Sequence, residues 1–264
     1  MFDLAYLHQR LNAGEILYNG WLHLPGGVSA EVMGRAGYDT LTIDLQHGLI
    51  GDGGLIATLQ AIGTTAAAPF VRVPGLHAPD IMRPLDAGAA GIICPMIDTP
   101  QQTRELVAAC QYAPSGKRSF GPTRAKLLYG DAYPGSSQTP PLIFAMIETR
   151  TALDNLDAIL DTPNLSGVYV GPGDLSLSLS GRATLDFRTG AAAQAVADIA
   201  RRTVERGLIP GIFSQGGELA RHAVSLGYRF VTAGSDLALL SGAAQSVLAE
   251  LRGERMSPLT TPTY

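Results

Sequence analysis

Residues 40–97 carry three apolar runs, TLTIDLQHG (40–48), PFVRVP (69–74) and GIICPMI (91–97), separated by two helix-type runs, GGLIATLQAIG (53–63) and APDIMRPLDAG (78–88). The apolar runs are short and nearly continuous, which is the pattern of strands buried on both faces of a parallel sheet. Parallel strands that are joined through helices form right-handed β–α–β units. This stretch therefore predicts an α/β protein built from consecutive β–α units.

The rest of the chain continues the same alternation. Further strand-type runs cover residues 16–24, 141–148, 167–174, 208–214 and 230–236, and further helix-type runs cover 29–37, 99–112, 151–160, 192–207, 216–227 and 237–253. Eight β–α units within about 250 residues are the number that closes a (β/α)8 barrel. A doubly wound open sheet is the competing architecture, but its first strand would lead into a G-x-G-x-x-G turn, and this chain has LHLPGG.

We therefore predict a single-domain (β/α)8 TIM barrel over residues 1–252. Residues 113–140 form a long insertion that is rich in Gly, Pro and Ser and holds both lysines of the chain, Lys117 and Lys126. Loops of this length in a compact domain are usually functional or disordered. We expect the insertion to bound the mouth of the site or to contact a neighbouring subunit. Residues 253–264 are a polar C-terminal tail.

Composition narrows the class of protein. The 264 residues are 46% hydrophobic and 16% charged, which predicts a folded chain with a large core. The net charge of −4 argues against a nucleic-acid partner. No apolar run is long enough to span a membrane, and residues 1–15 lack the pattern of a secretory signal. Cys94 and Cys110 form no metal or disulfide motif, so we expect buried free thiols and a cytoplasmic protein.

Polar residues stand where several strand-type runs end. The second run ends at Asp44–His47, the third contains Arg72, the fifth ends at Glu148 and the sixth ends at Gly171–Asp174. Reactive side chains of a (β/α)8 barrel lie at the carboxyl ends of its strands. We therefore expect these residues to meet at one end of the barrel.

Glu148 and Asp174 are candidate metal ligands. Glu148 follows the apolar run LIFAMI, where a carboxylate is costly to bury unless it is paired or holds a cation. An ion pair with Arg150 is the alternative for Glu148, and a helix N-cap is the alternative for Asp174. Together the two carboxylates supply only oxygen ligands, which suit Mg²⁺ or Mn²⁺ better than Zn²⁺.

His47 is the candidate general base, because histidine titrates near neutral pH. Asp86, at the end of its helix-type run, could orient the imidazole of His47. The alternatives are a turn histidine for His47 and an exposed acid at a helix end for Asp86. Arg72 interrupts an apolar run, and a buried guanidinium needs an anion. That anion is either the substrate or a structural partner, Asp44.

The turn that begins at Gly171 is a candidate site for a substrate carboxylate. Its small residues leave backbone N–H groups exposed where a helix starts, and such groups bind anions. The turn consists of Gly171, Pro172, Gly173 and Asp174.

Six stretches of the chain resemble, in the same order, the HpcH/HpaI aldolase family of metal-dependent pyruvate aldolases. This family includes 4-hydroxy-2-oxoheptanedioate aldolases and 2-keto-3-deoxy-sugar-acid aldolases. The stretches are TIDLQHG (42–48), FVRVPG (70–75), PLDAGAAGIICPMIDT (84–99), YAPSGKRSFGPTRA (112–125), MIETRTALDNLDAIL (146–160) and VYVGPGDLSLSL (168–179).

The resemblance implies a role for each candidate residue. It makes His47 the catalytic histidine, Asp86 its assisting aspartate, Arg72 the enolate-binding arginine, Glu148 and Asp174 the metal ligands, and Gly171, Pro172, Gly173 and Asp174 the segment that holds the pyruvate carboxylate. Two positions depart from the family pattern. Gln46 and Met146 stand where many members have Glu and Gln, so the edge of the site has fewer polar groups.

These roles imply an aldehyde-lyase that reversibly cleaves 4-hydroxy-2-oxo acids to pyruvate and an aldehyde, with Mg²⁺, Mn²⁺ or Co²⁺ as cofactor. The resemblance also implies a homohexamer built as a trimer of dimers. A Schiff-base aldolase needs a lysine in the site, and neither Lys117 nor Lys126 lies on a strand-type run. The remaining alternatives are a citrate-type condensing or lyase relative and a non-catalytic barrel subunit.

Overall fold

A computed structural model describes residues 2–130, 133, 134 and 139–254. Its centre is a closed barrel in which each strand pairs in parallel with the next along the chain and the eighth pairs with the first. The strands are β1 (Leu17–Leu22), β2 (Thr40–Asp44), β3 (Ala68–Arg72), β4 (Gly91–Cys94), β5 (Leu142–Ile147), β6 (Gly167–Val170), β7 (Ile209–Phe213) and β8 (Phe230–Ser235).

Helices connect the strands and cover the outside of the barrel. In chain order they are α1 (Leu4–Asn12), α2 (Gly27–Arg35), α3 (Asp52–Ile62), α4 (Ala78–Asp86), α5 (Pro100–Cys110), α6 (Thr123–Tyr129), α7 (Arg150–Asp154), α8 (Leu156–Leu160), α9 (Pro172–Ser180), α10 (Ala191–Glu205), α11 (Gly217–Ser225) and α12 (Asp236–Arg252). The predicted (β/α)8 barrel is thus confirmed.

Aromatic side chains fill the inside of the barrel. Phe70 and Phe144 each lie 5.0 Å from Phe230 between ring centroids, and the Trp21 indole lies 5.4 Å from the ring of Phe213. All belong to one buried cluster, separate from the larger aliphatic cluster between strands and helices. The interior is therefore a packed core, and a substrate has room only beyond the strand ends.

Helix α1 closes the amino-terminal end of the barrel, and the sequence analysis did not predict this helix. Asp3 caps it by accepting hydrogen bonds from the N–H groups of Ala5 and Tyr6. Leu7 and Leu11, four residues apart and so on one face of the helix, are buried in the aromatic cluster of the barrel interior. The carboxyl-terminal end is left for the site.

The predicted strand-type runs match the starts of all eight strands to within one residue, since β3 begins at Ala68, one residue before its run, and several runs extend beyond the strand ends. The run 40–48 becomes a strand only as far as Asp44, and the run 91–97 only as far as Cys94. The surplus residues form the turns that follow the strands. The predicted helix at 151–160 divides at Asn155 into α7 and α8. Part of the insertion, Thr123–Tyr129, is the helix α6 rather than a loop.

Two further predictions concern the C-terminal tail and membrane-spanning helices. Most of the predicted polar tail, residues 255–264, lies outside the described residues. Among the described helices, none combines the length and apolar character needed to cross a bilayer.

Candidate active site

The last residue of β3 and the turns after β2, β5 and β6 meet around a cavity of about 590 Å³ at the carboxyl end of the barrel. Arg72 is the last residue of β3, Glu148 directly follows β5, and Asp174 lies in the first turn of α9. The predicted residues that line this cavity are His47, Arg72, Glu148, Gly171, Pro172, Gly173 and Asp174. The structure therefore brings together every predicted site residue except Asp86.

Arg72 pairs with Asp44 and also faces the space for substrate, so the structure agrees with both alternatives from the sequence analysis. Its Nε and Nη2 atoms lie 2.8 and 2.5 Å from the two carboxylate oxygens of Asp44, its neighbour in the paired strand β2. The guanidinium also lies 4.9 Å from the centroid of the Trp21 indole, and Arg72 lines the cavity. The bidentate pair and the aromatic contact fix the orientation of a cation that faces the substrate space.

Asp44 is the centre of this network. Besides Arg72, its oxygens accept hydrogen bonds from the Trp21 indole N–H and the backbone N–H of His47, and Nε2 of His23 lies 3.1 Å away. Burial alone would raise the pKa of Asp44, but the His23 and Arg72 contacts outweigh it and hold the pKa well below its ordinary value. Asp44 is therefore a permanent carboxylate that holds both Arg72 and the backbone of the His47 turn.

His47 lies in a setting that favours its neutral form. Burial is the largest cause that lowers the pKa of His47, and the positive charge of Arg72 lowers it further. The negative charges of Asp44 and Asp174 oppose these effects without reversing them. A neutral imidazole at neutral pH can accept a proton, which is what a general base must do.

Glu148 is a buried carboxylate at the wall of the cavity, with only 2% of its surface exposed. Its Oε2 accepts a hydrogen bond of 2.9 Å from the backbone N–H of Met96. No ion pair joins Glu148 to Arg150 in the part of the chain that the structure describes, so the alternative weighed for Glu148 is not realised there. Burial raises the pKa of Glu148 to about 7, and the charge of Asp174 adds to this, while the Met96 N–H and Arg72 lower it.

We expect the stability of the metal-free protein to fall as this carboxyl ionises. The pKa of Glu148 is about 7 in the folded protein against 4.5 ordinarily, so its contribution is complete below pH 4.5 and is lost as the pH rises through 7. The difference in the free energy of unfolding, Glu148→Gln minus wild type, should therefore increase by about 3 kcal/mol as the pH rises from 4.5 to 8. Denaturant unfolding in excess chelator measures this difference, with the exposed-site variant Glu250→Gln as control. A difference that does not change with pH contradicts the argument.

The donor set fits a hard divalent cation. Among the described residues, no group of three or more His, Cys, Asp or Glu side chains is arranged to hold a metal ion. The candidate ligands are the two predicted carboxylates that line the cavity, Glu148 and Asp174. Oxygen ligands, with other positions left for substrate or water, are typical of Mg²⁺ and Mn²⁺. A cation would also offset the repulsion between Glu148 and Asp174, which adds to the larger effect of burial in raising the pKa of Glu148.

The turn after β6 brings a helix start against Glu148. Gly171 is the N-cap of α9 and Pro172 occupies the first helical position, where its missing N–H is no loss. The N–H groups of Gly173 and Asp174 have no acceptor within the helix, so they can bind a carboxylate. A Cβ at Gly171 would lie 2.3 Å from Oε1 of Glu148. The glycine is therefore required by the close approach of the carboxylate.

Apolar side chains form the rest of the cavity lining, here called the apolar wall, and the sequence analysis did not predict most of it. This wall consists of Trp21, Met146, Leu177, Ala183, Leu185 and Phe213. Trp21 and Phe213 lie at the ends of strands, where strand position was a usable signal. Leu177, Ala183 and Leu185 come from α9 and the segment after it, and nothing in their local sequence marks them as site residues. Met146, one of the two departures from the family pattern, is part of this wall.

Asp86 does not reach the cavity of its own chain. It is the last residue of α4, and this helix returns the chain to the amino-terminal end of β4, opposite the site. Its carboxylate lies 2.6 Å from Nη2 of Arg118 in the insertion. The single chain therefore does not realise the predicted contact with His47, and the carboxylate that holds the His47 turn is Asp44.

The insertion also lies away from the cavity of its own chain. Arg124, in α6, donates a hydrogen bond to the carbonyl of Ala87, just after α4. Arg118 and Tyr133 line a second cavity near the start of β5. The described residues of 113–140 are absent from the lining of the site cavity. The described part of the insertion therefore does not bound the mouth of the site within one chain, and contact with a neighbouring subunit stays a prediction.

Comparison with known proteins gives a consistent result. The family model described as HpcH/HpaI aldolase/citrate lyase matches residues 21–243. A hydroxypyruvate/pyruvate aldolase of Rhizorhabdus wittichii is 42% identical over 91% of this chain and 96% of its own length. A 2-keto-3-deoxy-L-rhamnonate aldolase of Escherichia coli K12 is 32% identical over 97% of this chain and 96% of its own.

A solved structure matches over nearly the whole chain. It is an HpcH/HpaI aldolase/citrate lyase family protein from Burkholderia cenocepacia, with a TM-score of 0.86 and 30% identity over 94% of this chain and 99% of its own. The barrel, the cavity at its carboxyl end and these relatives together define a lyase of the aldolase class. The chain belongs to the HpcH/HpaI aldolase/citrate lyase family, and the resemblance stated from its motifs is confirmed.

Proposed function

We propose that the protein is a divalent-metal-dependent aldolase that reversibly cleaves a 4-hydroxy-2-oxo acid to pyruvate and an aldehyde. The observation that carries the proposal is the meeting of Glu148, Asp174, Arg72 and His47 around one cavity. A cation held by Glu148 and Asp174 would supply positive charge to the oxygens of a 2-oxo acid. The aldolase names of the relatives support the same reaction class.

The chain's own residues account for binding and charge stabilisation. The N–H groups of Gly173 and Asp174, at the start of α9, bind the substrate carboxylate. Arg72, held in place by Asp44, stabilises the negative charge that develops on the enolate oxygen as the carbon–carbon bond breaks. Its orientation is fixed before the substrate binds, so little reorganisation is needed.

His47 moves the proton. In cleavage, neutral His47 accepts the proton of the 4-hydroxyl group, and the electron pair of the C3–C4 bond passes to the enolate while the aldehyde leaves. In the reverse direction, the protonated imidazole returns this proton to the new alkoxide. The lowered pKa of His47 suits it to the accepting role at neutral pH.

The position of the lysines disfavours a Schiff-base mechanism. Lys126, on α6, lies 5.4 Å from the ring of Phe120, and Lys117 lines a groove beside α4 and α5. Neither side chain lines the site cavity. These are the two lysines of the chain, so no lysine of the same chain is placed to form an imine there.

The apolar wall favours an uncharged aldehyde. Leu177, Leu185 and Met146 offer no partner for a second carboxylate, and the cationic residues of the insertion lie outside the cavity. A citrate-type substrate would bring additional carboxylates into this wall, at a cost in desolvation. Small or hydroxylated neutral aldehydes therefore fit the site better than acidic ones.

A panel of acceptors tests the proposed function. Pyruvate is incubated with an aliphatic aldehyde, a hydroxylated aldehyde and a carboxylated aldehyde in the presence of Mn²⁺, and product is measured by mass. We expect condensation with the neutral aldehydes, none in excess chelator, and recovery when Mg²⁺, Mn²⁺ or Co²⁺ is added back. Full activity in chelator, or a protein mass increase after borohydride treatment with pyruvate, would contradict the metal mechanism.

Assembly and location are further parts of the proposal. By the family resemblance we propose a cytoplasmic homohexamer built as a trimer of dimers. The helix α12 exposes apolar side chains such as Leu240 and Leu251, which are 63% and 77% exposed in the single chain. Burial of these side chains against another subunit would remove apolar surface from water, which supports an oligomer.

A further inference from the structure

Met96 has an unusual backbone conformation at the edge of the site. Two non-glycine residues of the described chain have positive φ, Met96 at 56° and Asn164 at 63°. Asparagine adopts the left-handed region readily, whereas methionine does so at a cost. Met96 is 47% exposed, so core packing does not explain the conformation. Such strained residues persist where the surrounding structure fixes them, and they concentrate at functional sites.

The chain on both sides of Met96 is fixed to strand β5. Before it, Cys94 is paired in register with Ala145. After it, the N–H of Ile97 donates to the carbonyl oxygen of Met146 at 3.3 Å. Between these anchors, the left-handed turn directs the N–H of Met96 onto Oε2 of Glu148 at 2.9 Å. The strained residue thus supplies a donor to the carboxylate that lines the cavity.

This hydrogen bond selects one orientation of the Glu148 carboxylate. The last torsion of a glutamate side chain is broad and roughly two-fold, so it needs an external contact to fix it. Met96 holds Oε2, while Oε1 lies beside Gly171, at the point where a Cβ would come within 2.3 Å. The two neighbours together set which oxygen faces the turn that carries Asp174.

We infer that Met96 is a positioning residue, whose left-handed backbone aims its N–H at Glu148 and fixes that carboxylate to receive the divalent cation. The inference rests on the proposed role of Glu148 as a metal ligand. It predicts that what matters at position 96 is the ability to adopt positive φ rather than the methionine side chain. Glycine and asparagine meet this requirement, and β-branched residues do not.

The test is Mn²⁺ binding to the purified full-length protein, measured by electron paramagnetic resonance without turnover. We expect Met96→Val to weaken Mn²⁺ binding by ~10-fold or more, because valine displaces the N–H from Glu148. Met96→Gly and Met96→Asn should bind within about three-fold of wild type, since both adopt the same backbone. Met96→Thr repeats the comparison if Met96→Val does not fold.

Asn164→Val is the matched control. It places the same β-branched residue at the other position of positive φ, so it should lower Tm as Met96→Val does and leave Mn²⁺ affinity unchanged. Equal Mn²⁺ affinity in Met96→Val and Asn164→Val would overturn the positioning role while the proposed function stands. Wild type that binds no Mn²⁺, or that binds it no better than Glu148→Gln, would overturn the proposed metal site and this inference with it.

Discussion

Replacing His47 with alanine is expected to lower kcat by ~10²–10⁴-fold, the usual contribution of general acid–base catalysis. The variant removes the proposed acceptor of the 4-hydroxyl proton and leaves Glu148, Asp174 and Arg72 in place. The KM for pyruvate should therefore stay within a few-fold of wild type. Steady-state condensation of pyruvate with a neutral aldehyde in the presence of Mn²⁺ measures both constants.

Two features make this prediction specific to His47. The exposed histidine His77, which pairs with Asp80 beside the start of α4, provides the control, and His77→Ala should leave kcat unchanged. The midpoint of the acid limb of the wild-type pH–rate profile should lie at a pH below the ordinary pKa of histidine, because burial and Arg72 lower the pKa of His47. An unchanged kcat in His47→Ala would assign this residue to the structure of the turn instead.

Replacing Gly171 with alanine is expected to lower kcat/KM by ~10²-fold or more. A Cβ at this position would lie 2.3 Å from Oε1 of Glu148, whereas ordinary contacts begin near 3.4 Å. One of the two groups must then move by about 1 Å, and a displacement of that size in a catalytic site costs about 10²-fold. The φ of Gly171 is −99°, so the backbone itself accepts alanine and the effect is one of space.

Gly173→Ala is the matched control in the same turn. A Cβ there would meet only Leu185, at an ordinary distance of 3.6 Å. Both variants retain the backbone N–H groups at the start of α9, so a loss of carboxylate binding cannot account for a difference between them. We expect Gly173→Ala to stay within a few-fold of wild type in kcat/KM and in Mn²⁺ affinity. Equal losses in the two variants would show that the turn tolerates no side chain, whatever the position of Glu148.

The barrel fold could be predicted from the sequence because each strand is a short segment with a strong apolar pattern. Nearly all strand residues are buried, so the strands appear as largely apolar runs, and the repeat of these runs sets the topology. The helix α1 was missed because it lies outside the β–α repeat and buries only Leu7 and Leu11. The helix α6 was missed because it is seven residues long inside a segment rich in Gly and Pro.

The site was predicted where its residues stand at strand ends, and was missed where they do not. Arg72, Glu148 and the Gly171–Asp174 turn follow apolar runs, so the rule for barrel strand ends places them together. The same rule places Asp86, which ends a helix, at the other end of the barrel from the cavity of its own chain. The positive φ of Met96 has no signal in one sequence, because neither its residue type nor its neighbours require it.

The apolar wall of the cavity has a consequence for how such proteins diversify. Leu177, Ala183 and Leu185 belong to α9 and the connection after it, outside the β-strands and outside the hydrogen bonds that hold Asp44, Arg72 and Glu148. Substitutions in this connection can change which aldehyde fits while the geometry for bond cleavage is inherited intact. Duplicated copies of one ancestral gene can thus acquire new acceptors by changes in a single exposed connection, and a library for laboratory evolution is best concentrated there.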